Sequence, residues 1–451
     1  MKRPIQALAA GLLLLVAANA GAAVATPAGG DPFEAALAQA RERRVPVLVD
    51  YTAPWCYSCY YMAKNVLTGA EWERAQREAV VIELDADSPI GAKWMAAWSV
   101  KAMPTYLLFD PAGQELGRIL GEQTRADFYA WLFATIGRDS LEAVKARVKD
   151  GSQDSLAAAR EVLRAYHARY DARAGLAWLD AQADAVGAEV IRDRQGASWV
   201  ARLELMRAAS DKNAAGCAAA ARKVFAGPLG CELPYELSRA MACTEPLPQA
   251  RRRALLQTQA RPMQRLLDQR VLAENQVVKD GRCADERSIV LGAADLQQAL
   301  GDADAEKQAL DRAIDGLKAR MGGAVGKDRN LDDNLRVYLD RAGRVDELDR
   351  LFPRLIEAWP DDYVYPYRHA RSLAARGKHA EAVPLYEQAA AKTYGVNTLR
   401  IAELRAKSLH ALGRTAAARE VLAEALSANG PWFPEDAAKL KAMLDTLPPA
   451  T

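Results

Sequence analysis

The chain has 451 residues, of which 50% are hydrophobic and 26% are charged, a composition typical of a globular protein with two or three domains. Its formal net charge is only +2, which equals the contribution of Lys2 and Arg3, so the rest of the chain is near neutral. This balance gives no electrostatic reason to expect a nucleic acid partner or binding to an anionic membrane surface.

Residues 1–25 have the pattern of a secretory signal peptide. Two basic residues precede an apolar run over 5–18, and small residues allow cleavage after Ala20 or Ala25. The alternative is a membrane anchor, but the apolar run is short for a span, and a Pro- and Gly-rich linker, 26–31, follows it. We therefore expect a mature protein that is exported to the periplasm, an oxidising compartment, and that does not span the membrane after cleavage.

The segment 26–137 alternates between helical and strand patterns. Helices are predicted at 33–44, 56–67, 71–78, 90–99 and 124–136, and strands at 45–51, 80–85, 105–109 and 115–119. An Asp-Pro-Ala-Gly turn should join the last two strands in a hairpin. This order predicts an α/β domain with a central sheet.

Cys56 and Cys59 lie at the start of the second predicted helix, after a buried strand and an Ala-Pro-Trp corner. Two thiols at this spacing can close a small disulfide ring, and the helix N-terminus favours a thiolate on the first sulfur. The alternative is half of a four-cysteine zinc site, but the chain has no second C-x-x-C and no His before His167. The pattern therefore favours a redox-active disulfide, Cys56–Cys59, with no metal.

The run 49–59, with its Trp-Cys-x-x-Cys, and the run 100–110, with its Met-Pro, resemble the active-site segments of the thioredoxin superfamily. They are most similar to the periplasmic C-terminal domain of the bacterial transmembrane thiol:disulfide interchange protein, the DsbD type. The resemblance covers residues 45–136 and implies a thioredoxin fold, a central mixed sheet flanked by helices.

In exchange chemistry one thiol attacks a substrate disulfide and the second resolves the mixed disulfide. Cys56, at the helix start, should be the exposed nucleophile, and Cys59, one turn in, the more buried resolving thiol. No His, Lys or Arg lies between residues 54 and 63, so only the helix terminus would activate Cys56. The reduction potential should then lie nearer thioredoxin-like values of about −270 mV than the roughly −120 mV of strong oxidants.

The resemblance also implies roles for residues near the pair. Asp50 matches a buried carboxylate behind the resolving cysteine, whose raised pKa would make it a general base, although a solvated carboxylate at a strand end is the alternative. Pro104 matches the cis-proline of a loop that faces the disulfide, and with Met103 and Trp55 it would bind substrate.

Two positions depart from the interchange domain. Tyr60 replaces a basic residue after the second cysteine, and Ala63 replaces a Glu, so the second active-site carboxylate is missing. Glu83 could restore an acidic pair with Asp50. The aromatic side chains around the cysteines either simply pack or line a docking surface; they are Trp55, Tyr57, Tyr60 and Tyr61.

Residues 138–290 are predicted to form a helical domain without a repeat. It contains four further cysteines: Cys217, Cys231, Cys243 and Cys283. In an exported chain these could form two structural disulfides in any of three ways. The shortest loops favour Cys217–Cys231 and Cys243–Cys283, and burial as reduced thiols is the alternative.

Residues 291–451 contain a degenerate helical repeat. Gly343, Gly377 and Gly413 each lie in a short turn between two helical stretches, and small or apolar residues recur five, nine and twelve positions after each glycine. A weaker copy begins at Gly301. The spacing resembles tetratricopeptide (TPR) repeats, and an ordinary antiparallel helical bundle is the alternative.

These patterns predict an exported thiol:disulfide oxidoreductase, a reductase or interchange enzyme that acts on protein disulfides and needs no cofactor beyond its dithiol. Its electrons would come from a membrane-embedded donor of interchange type, and its repeats would bind a protein client. The alternative is a protein-interaction module in which the repeats bind the client and the thioredoxin fold is mainly structural.

Overall fold

The computed structural model describes residues 30–227, 229–273 and 282–448. The predicted signal peptide, 1–25, lies outside these residues, and its cleavage stays a prediction. Among the described helices, none has the length and apolar character that a membrane crossing requires.

The first region is a four-stranded mixed sheet with helices on both faces. Its strands are β1 (Val47–Thr52), β2 (Val80–Asp85), β3 (Thr105–Phe109) and β4 (Glu115–Leu120). Its helices are α1 (Pro32–Arg43), α2 (Tyr57–Asn65), α3 (Gly69–Glu78), α4 (Pro89–Ala97) and α5 (Arg125–Thr135). The strand order is β2-β1-β3-β4, in which β1 is parallel to β2 and antiparallel to β3, and β4 is antiparallel to β3. The predicted thioredoxin fold is confirmed.

Alternate residues of β1 point to opposite faces of the sheet. Leu48 packs on one side in a cluster with Met62 and Phe128, whereas Val49 packs on the other with Phe33. Because both faces are covered, the strand is a nearly continuous apolar run, and Asp50 is its one interruption before Thr52.

From residue 141 the described chain is helical, as predicted. The helices are α6 (Leu141–Ala146), α7 (Gln153–Ala168), α8 (Ala172–Asp180), α9 (Ala188–Arg192), α10 (Arg194–Ser210), α11 (Ala214–Phe225), α12 (Leu233–Cys243), α13 (Gln249–Gln257), α14 (Ala260–Arg270), α15 (Glu286–Leu300), α16 (Ala303–Met321), α17 (Arg329–Arg341), α18 (Val345–Ala358), α19 (Val364–Ala375), α20 (His379–Ala390), α21 (Val396–Ala411), α22 (Thr415–Asn429) and α23 (Pro434–Thr446). A π-helical turn (Ala183–Gly187) and two 3-10 turns (Gly230–Glu232 and Gly430–Trp432) lie between them.

The predicted repeat glycines connect three helix pairs, α17–α18, α19–α20 and α21–α22. Gly343, Gly377 and Gly413 have φ values of 65°, 77° and 74°, which a residue without Cβ adopts at least cost. The residues five, nine and twelve positions after each glycine are all buried: Leu348, Phe352, Leu355, Ala382, Tyr386, Ala389, Ala418, Leu422 and Ala425. The helix pairs are therefore present, while their assignment to the tetratricopeptide family stays a prediction.

The division of the helical region at residue 290 also stays a prediction. One apolar cluster extends from Leu233 to Tyr365, and α15 itself crosses the predicted boundary. Packing is thus continuous between the two predicted parts.

The four remaining cysteines form two disulfides, as predicted, but the predicted pairing is wrong. The bonds are Cys217–Cys243 and Cys231–Cys283 instead of Cys217–Cys231 and Cys243–Cys283. Helix packing decides the partners: Cys217 on α11 and Cys243 at the end of α12 share one apolar cluster, and their Cα atoms are 6.1 Å apart. The length of the loop between two cysteines does not predict that helix packing brings them together. No free cysteine occurs in the described residues.

Candidate redox site

The two cysteines of the C-x-x-C motif are joined at the N-terminus of α2, with their Cα atoms 5.2 Å apart. A turn places them there, because the backbone N–H of Cys56 donates to the carbonyl oxygen of Ala53 at 3.0 Å. Cys56 is the N-cap of the helix, and its Sγ accepts the backbone N–H of Cys59 at 3.1 Å. A helix N-terminus stabilises negative charge on this sulfur once the disulfide is reduced.

The predicted exposure of the two cysteines is wrong. Cys56 is 3% exposed and Cys59 is 8% exposed, so the predicted nucleophile is at least as buried as its partner. Both lie in the apolar cluster of one sheet face, which Met103 also contacts. The physical reason is that α17 of the helical region packs on α2, a contact that the sequence motif does not indicate.

Two side chains of the helical region hold backbone carbonyls on either side of Cys56. Arg368 on α19 donates from Nη2 to the carbonyl oxygen of Trp55 at 3.0 Å. Asn330 on α17 donates from Nδ2 to the carbonyl oxygen of Tyr57, also at 3.0 Å. The active-site turn is therefore fixed from outside its own domain.

The aromatic residues of the motif line a surface that the chain's own helices occupy. The guanidinium of Arg287 lies 3.4 Å from the ring centroid of Tyr57, and that of Arg329 lies 4.1 Å from the ring centroid of Tyr60. The Tyr57 hydroxyl donates to Asp285 at 3.3 Å. Tyr61 instead packs against the apolar cluster of its own domain.

Trp55 is partly open to solvent, with 37% of its surface exposed. Its indole Nε1 donates to Asp87 Oδ2 at 2.8 Å, which anchors the turn to the loop after β2. The helical region contacts that loop too, because the backbone N–H of Val396 donates to the Asp87 carbonyl at 3.2 Å.

Asp50 is placed by the register of three strands. It lies opposite Glu83 on β2 and Tyr106 on β3, so the three side chains share one face of the sheet. Its Oδ1 is buried and has no hydrogen-bond partner in the described part of the chain. Desolvation, followed by the charge of Glu83, raises the pKa of Asp50 to about 8, against a smaller opposing effect of the Tyr106 hydroxyl. The alternative of a solvated carboxylate does not fit this burial.

Glu83 lies directly opposite Asp50 in the sheet, as the predicted acidic pair requires. Partial desolvation, followed by the nearby charge of Asp85, raises the pKa of Glu83 as well. Two adjacent carboxyls disfavour each other's ionisation.

The Met103–Pro104 peptide bond is cis, as the resemblance implied. Pro104 is buried, and its carbonyl oxygen accepts the backbone N–H of Gly121 at 2.8 Å. Met103 reaches the cluster that contains both cysteines. The substrate-binding roles of Trp55, Met103 and Pro104 stay predictions.

The sequence analysis missed a buried charge cluster beside the motif. Asp333 on α17 is fully buried and accepts from the guanidinium groups of Arg287, Arg336 and Arg368, the first two at 2.8 Å. Burial alone would raise the pKa of Asp333, but the three cations hold it well below its usual range. The signal in the sequence is the run 330–334, in which four of five residues are polar; the structure buries all four.

Glu122 is a second buried carboxyl of this interface, and it accepts from Nδ2 of Asn330 at 2.9 Å. Desolvation, followed by the nearby charge of Asp285, raises its pKa well above the usual range. Among the described residues, no group of His, Cys, Asp and Glu is arranged to hold a metal ion.

Residues 33–136 match the family described as thioredoxin-like domain. The chain is 34% identical over 92 residues to an H-type thioredoxin of Oryza sativa subsp. indica, which covers 20% of this chain and 70% of that protein. It is also 34% identical over 95 residues to the thiol:disulfide interchange protein DsbD of Cronobacter sakazakii. That match covers 20% of this chain and spans only 16% of the relative's length.

A solved thioredoxin from Thermus thermophilus shows 30% identity and covers 23% of this chain and 82% of its own. The TM-score is 0.22, so the fold assignment rests on the sheet order and register described above.

Proposed function

Since this chain belongs to the thioredoxin family through residues 33–136, we propose that it is a thiol:disulfide oxidoreductase that acts on protein disulfides through Cys56 and Cys59. The observation that carries the proposal is the Cys56–Cys59 disulfide at the N-terminus of α2, with the buried carboxyl of Asp50 on the strand that leads into it.

In the reducing direction, the thiolate of Cys56 attacks one sulfur of a substrate disulfide, and the other substrate sulfur leaves as a thiolate that takes up a proton. Cys59 then loses its proton and attacks Sγ of Cys56, which releases the substrate as a dithiol and closes the Cys56–Cys59 disulfide. Two electrons pass from the enzyme dithiol to the substrate.

Asp50 is the proton acceptor in the second step. A carboxyl with a pKa of about 8 exchanges protons readily near neutral pH, unlike an ordinary Asp, which is fully ionised there. The negative charge of Glu83 helps to keep the pKa of Asp50 high.

The burial of both cysteines restricts the substrate. A protein disulfide can contact Cys56 only when the contacts of α17 and α19 with the turn are released, since these helices cover it. The polar nature of those contacts supports reversible release.

We propose further that the protein is exported to the periplasm after removal of 1–25 and that a membrane-embedded interchange protein supplies its electrons. Three disulfides in the described chain are typical of an oxidising compartment. A role of the helix pairs α17–α22 in binding a protein client belongs to the same proposal.

The test is reduction of insulin by the chain from residue 26 onward, with dithiothreitol as reductant and Cys56→Ser as control. Activity above the control is expected, and its absence would remove the enzyme proposal. The Cys59→Ser variant, expressed in the periplasm of a bacterial host, should accumulate mixed disulfides with its substrates.

The burial of both cysteines favours a second candidate function, that of a protein-interaction module in which the thioredoxin fold is structural. Trapping separates the two functions, because a structural domain would give no mixed disulfide with Cys59→Ser.

A further inference from the structure

We propose that the helical region supplies the positive charge that stabilises the Cys56 thiolate, and that Arg368 is the positioning residue that delivers it. The inference rests on the proposed function and deepens it, since the motif itself contains no cation between residues 54 and 63.

The contact of Arg368 with the motif is direct. Its Nη2 donates at 3.0 Å to the carbonyl oxygen of Trp55, which belongs to the peptide bond that enters Cys56. Standard bond lengths then keep this guanidinium nitrogen within about 9 Å of Cys56 Sγ. The side chain of Arg368 is only 17% exposed, so water screens its charge weakly.

The charge of the cluster is not cancelled locally. Asp333 carries one negative charge against the three guanidinium groups of Arg287, Arg336 and Arg368. Asp285, which accepts from Tyr57, offsets one of the two remaining positive charges. The cluster therefore retains a net positive charge of one beside the turn.

Other titratable groups around the turn do not reverse this sign. Arg329 forms an ion pair with Asp362 and contributes no net charge. With a pKa of about 8, Asp50 is largely protonated at neutral pH, and desolvation raises the pKa of Glu122 well above its usual range. Asp87, whose pKa burial raises, faces the indole of Trp55 on the side of the β2 loop.

A positive charge near the first sulfur lowers its thiol pKa and favours the reduced form of the pair. When Arg368 contacts the turn, the reduction potential of the Cys56–Cys59 pair should therefore be less negative than the helix terminus alone would produce. No reactant beyond the substrate disulfide is needed, because Arg368 stabilises a charge and neither transfers nor accepts electrons.

The structure provides a matched control for charge. Asn330 makes the same kind of contact on the other side of Cys56, to the carbonyl of Tyr57, but it is neutral. Substitution of Asn330 removes this backbone contact and the hydrogen bond to Glu122 but no cation, so it can be compared with a variant that loses the cation.

The experiment measures the pKa of Cys56 in the full chain by the ultraviolet absorbance of its thiolate, in a Cys59→Ser background that leaves one active-site thiol. Arg368→Gln should raise that pKa by about one unit, and Arg368→Lys should restore most of the shift. Asn330→Ala should change it by a few tenths of a unit at most. In the intact dithiol, Arg368→Gln should make the potential more negative by about 30 mV, the equivalent of a tenfold change in the equilibrium constant.

Arg368→Gln leaves Asp333 paired with Arg287 and Arg336, so the fold should persist. Arg336→Gln removes a second cation that does not touch the motif, and it should shift the pKa in the same direction by less. An unchanged pKa in Arg368→Gln, or an equal shift in Asn330→Ala, would overturn the inference. The titration uses no substrate, so its outcome is separate from a failure of insulin reduction, which would count against the proposed function instead.

Discussion

The two regions of the molecule are stabilised in different ways. The thioredoxin domain has an apolar cluster on each face of one sheet, formed by strands and helices close in sequence. The helical region is a series of apolar clusters along the chain, reinforced by Cys217–Cys243 and Cys231–Cys283. The redox-active cysteines lie in the first region, and the structural disulfides lie in the second.

The contact between the regions resembles neither core. It contains the ion pair of Lys64 with Asp328 at 2.7 Å and the polar contacts of Asn330, Arg368 and Val396 with the active-site side of the sheet. Ala92 is the thioredoxin-domain residue that packs partly against an apolar cluster of the helical region. Such a polar interface can open at lower cost than either core.

The largest expected effect is the loss of activity when the thioredoxin domain loses its nucleophile. Cys56→Ser should lower insulin reduction by several orders of magnitude, because the attacking sulfur is lost. The matched control, Cys217→Ala with Cys243→Ala, should retain most of the activity at a temperature where circular dichroism shows it folded. A comparable loss in this control would contradict the separation of roles.

The second prediction concerns stability of the helical region. Removing the Cys231–Cys283 bond, whose cysteines are 52 residues apart, should destabilise it by about 4 kcal/mol, since the unfolded chain gains the entropy of a long open loop. Removing Cys217–Cys243, with a separation of 26, should cost about 3.5 kcal/mol. Calorimetry should show the transition of the helical region shifting and that of the thioredoxin domain staying in place; a shift of both would show one cooperative unit.

The third prediction separates stability from activity within the thioredoxin domain. The pKa of Asp50 rises from 3.8 to about 8 on folding, so its contribution to stability is fully present below pH 3.8 and is lost as pH rises through about 8. Asp50→Asn should therefore stabilise the protein by up to a few kcal/mol at neutral pH, and the gain should be larger at pH 8 than at pH 5.

Urea unfolding of both proteins across this pH range measures the effect. The same substitution should slow resolution of the mixed disulfide, because it removes the proton acceptor proposed for Cys59. Leu48→Ala, on the same strand, is a control that should destabilise the fold at every pH. A pH-independent difference between Asp50→Asn and wild type would contradict the raised pKa.

The smallest expected effect tests the interface. A Cβ at Gly395 would lie 1.9 Å from the backbone oxygen of Asp87, so Gly395→Ala must separate α21 from the loop after β2. Labelling of reduced Cys56 by a bulky maleimide should become roughly tenfold faster, in proportion to the population of open molecules. Gly413→Ala is the matched control, since that glycine also has a positive φ but nothing within 4 Å. Equal labelling of the two variants would mean that strain alone accounts for the change.

Much of the thioredoxin domain could be predicted from the sequence because its signals are local. The apolar strand before Cys56, the hairpin turn at 110–113 and the helix start at the motif all depend on residues within one element or its neighbour. The repeat glycines were predictable for the same reason, since a positive φ between two helices is a property of the turn itself.

The sequence by itself determined which groups can react: two thiols on a helix terminus, and a carboxyl on an apolar strand. Tertiary structure alone decided what surrounds them. The partners of Cys217 and Cys231 depend on how α11, α12 and the segment before α15 pack, and sequence separation does not encode that packing. Arg368 and Asn330 reach the active-site turn from more than 270 residues away, through polar contacts that leave no hydrophobic periodicity to read.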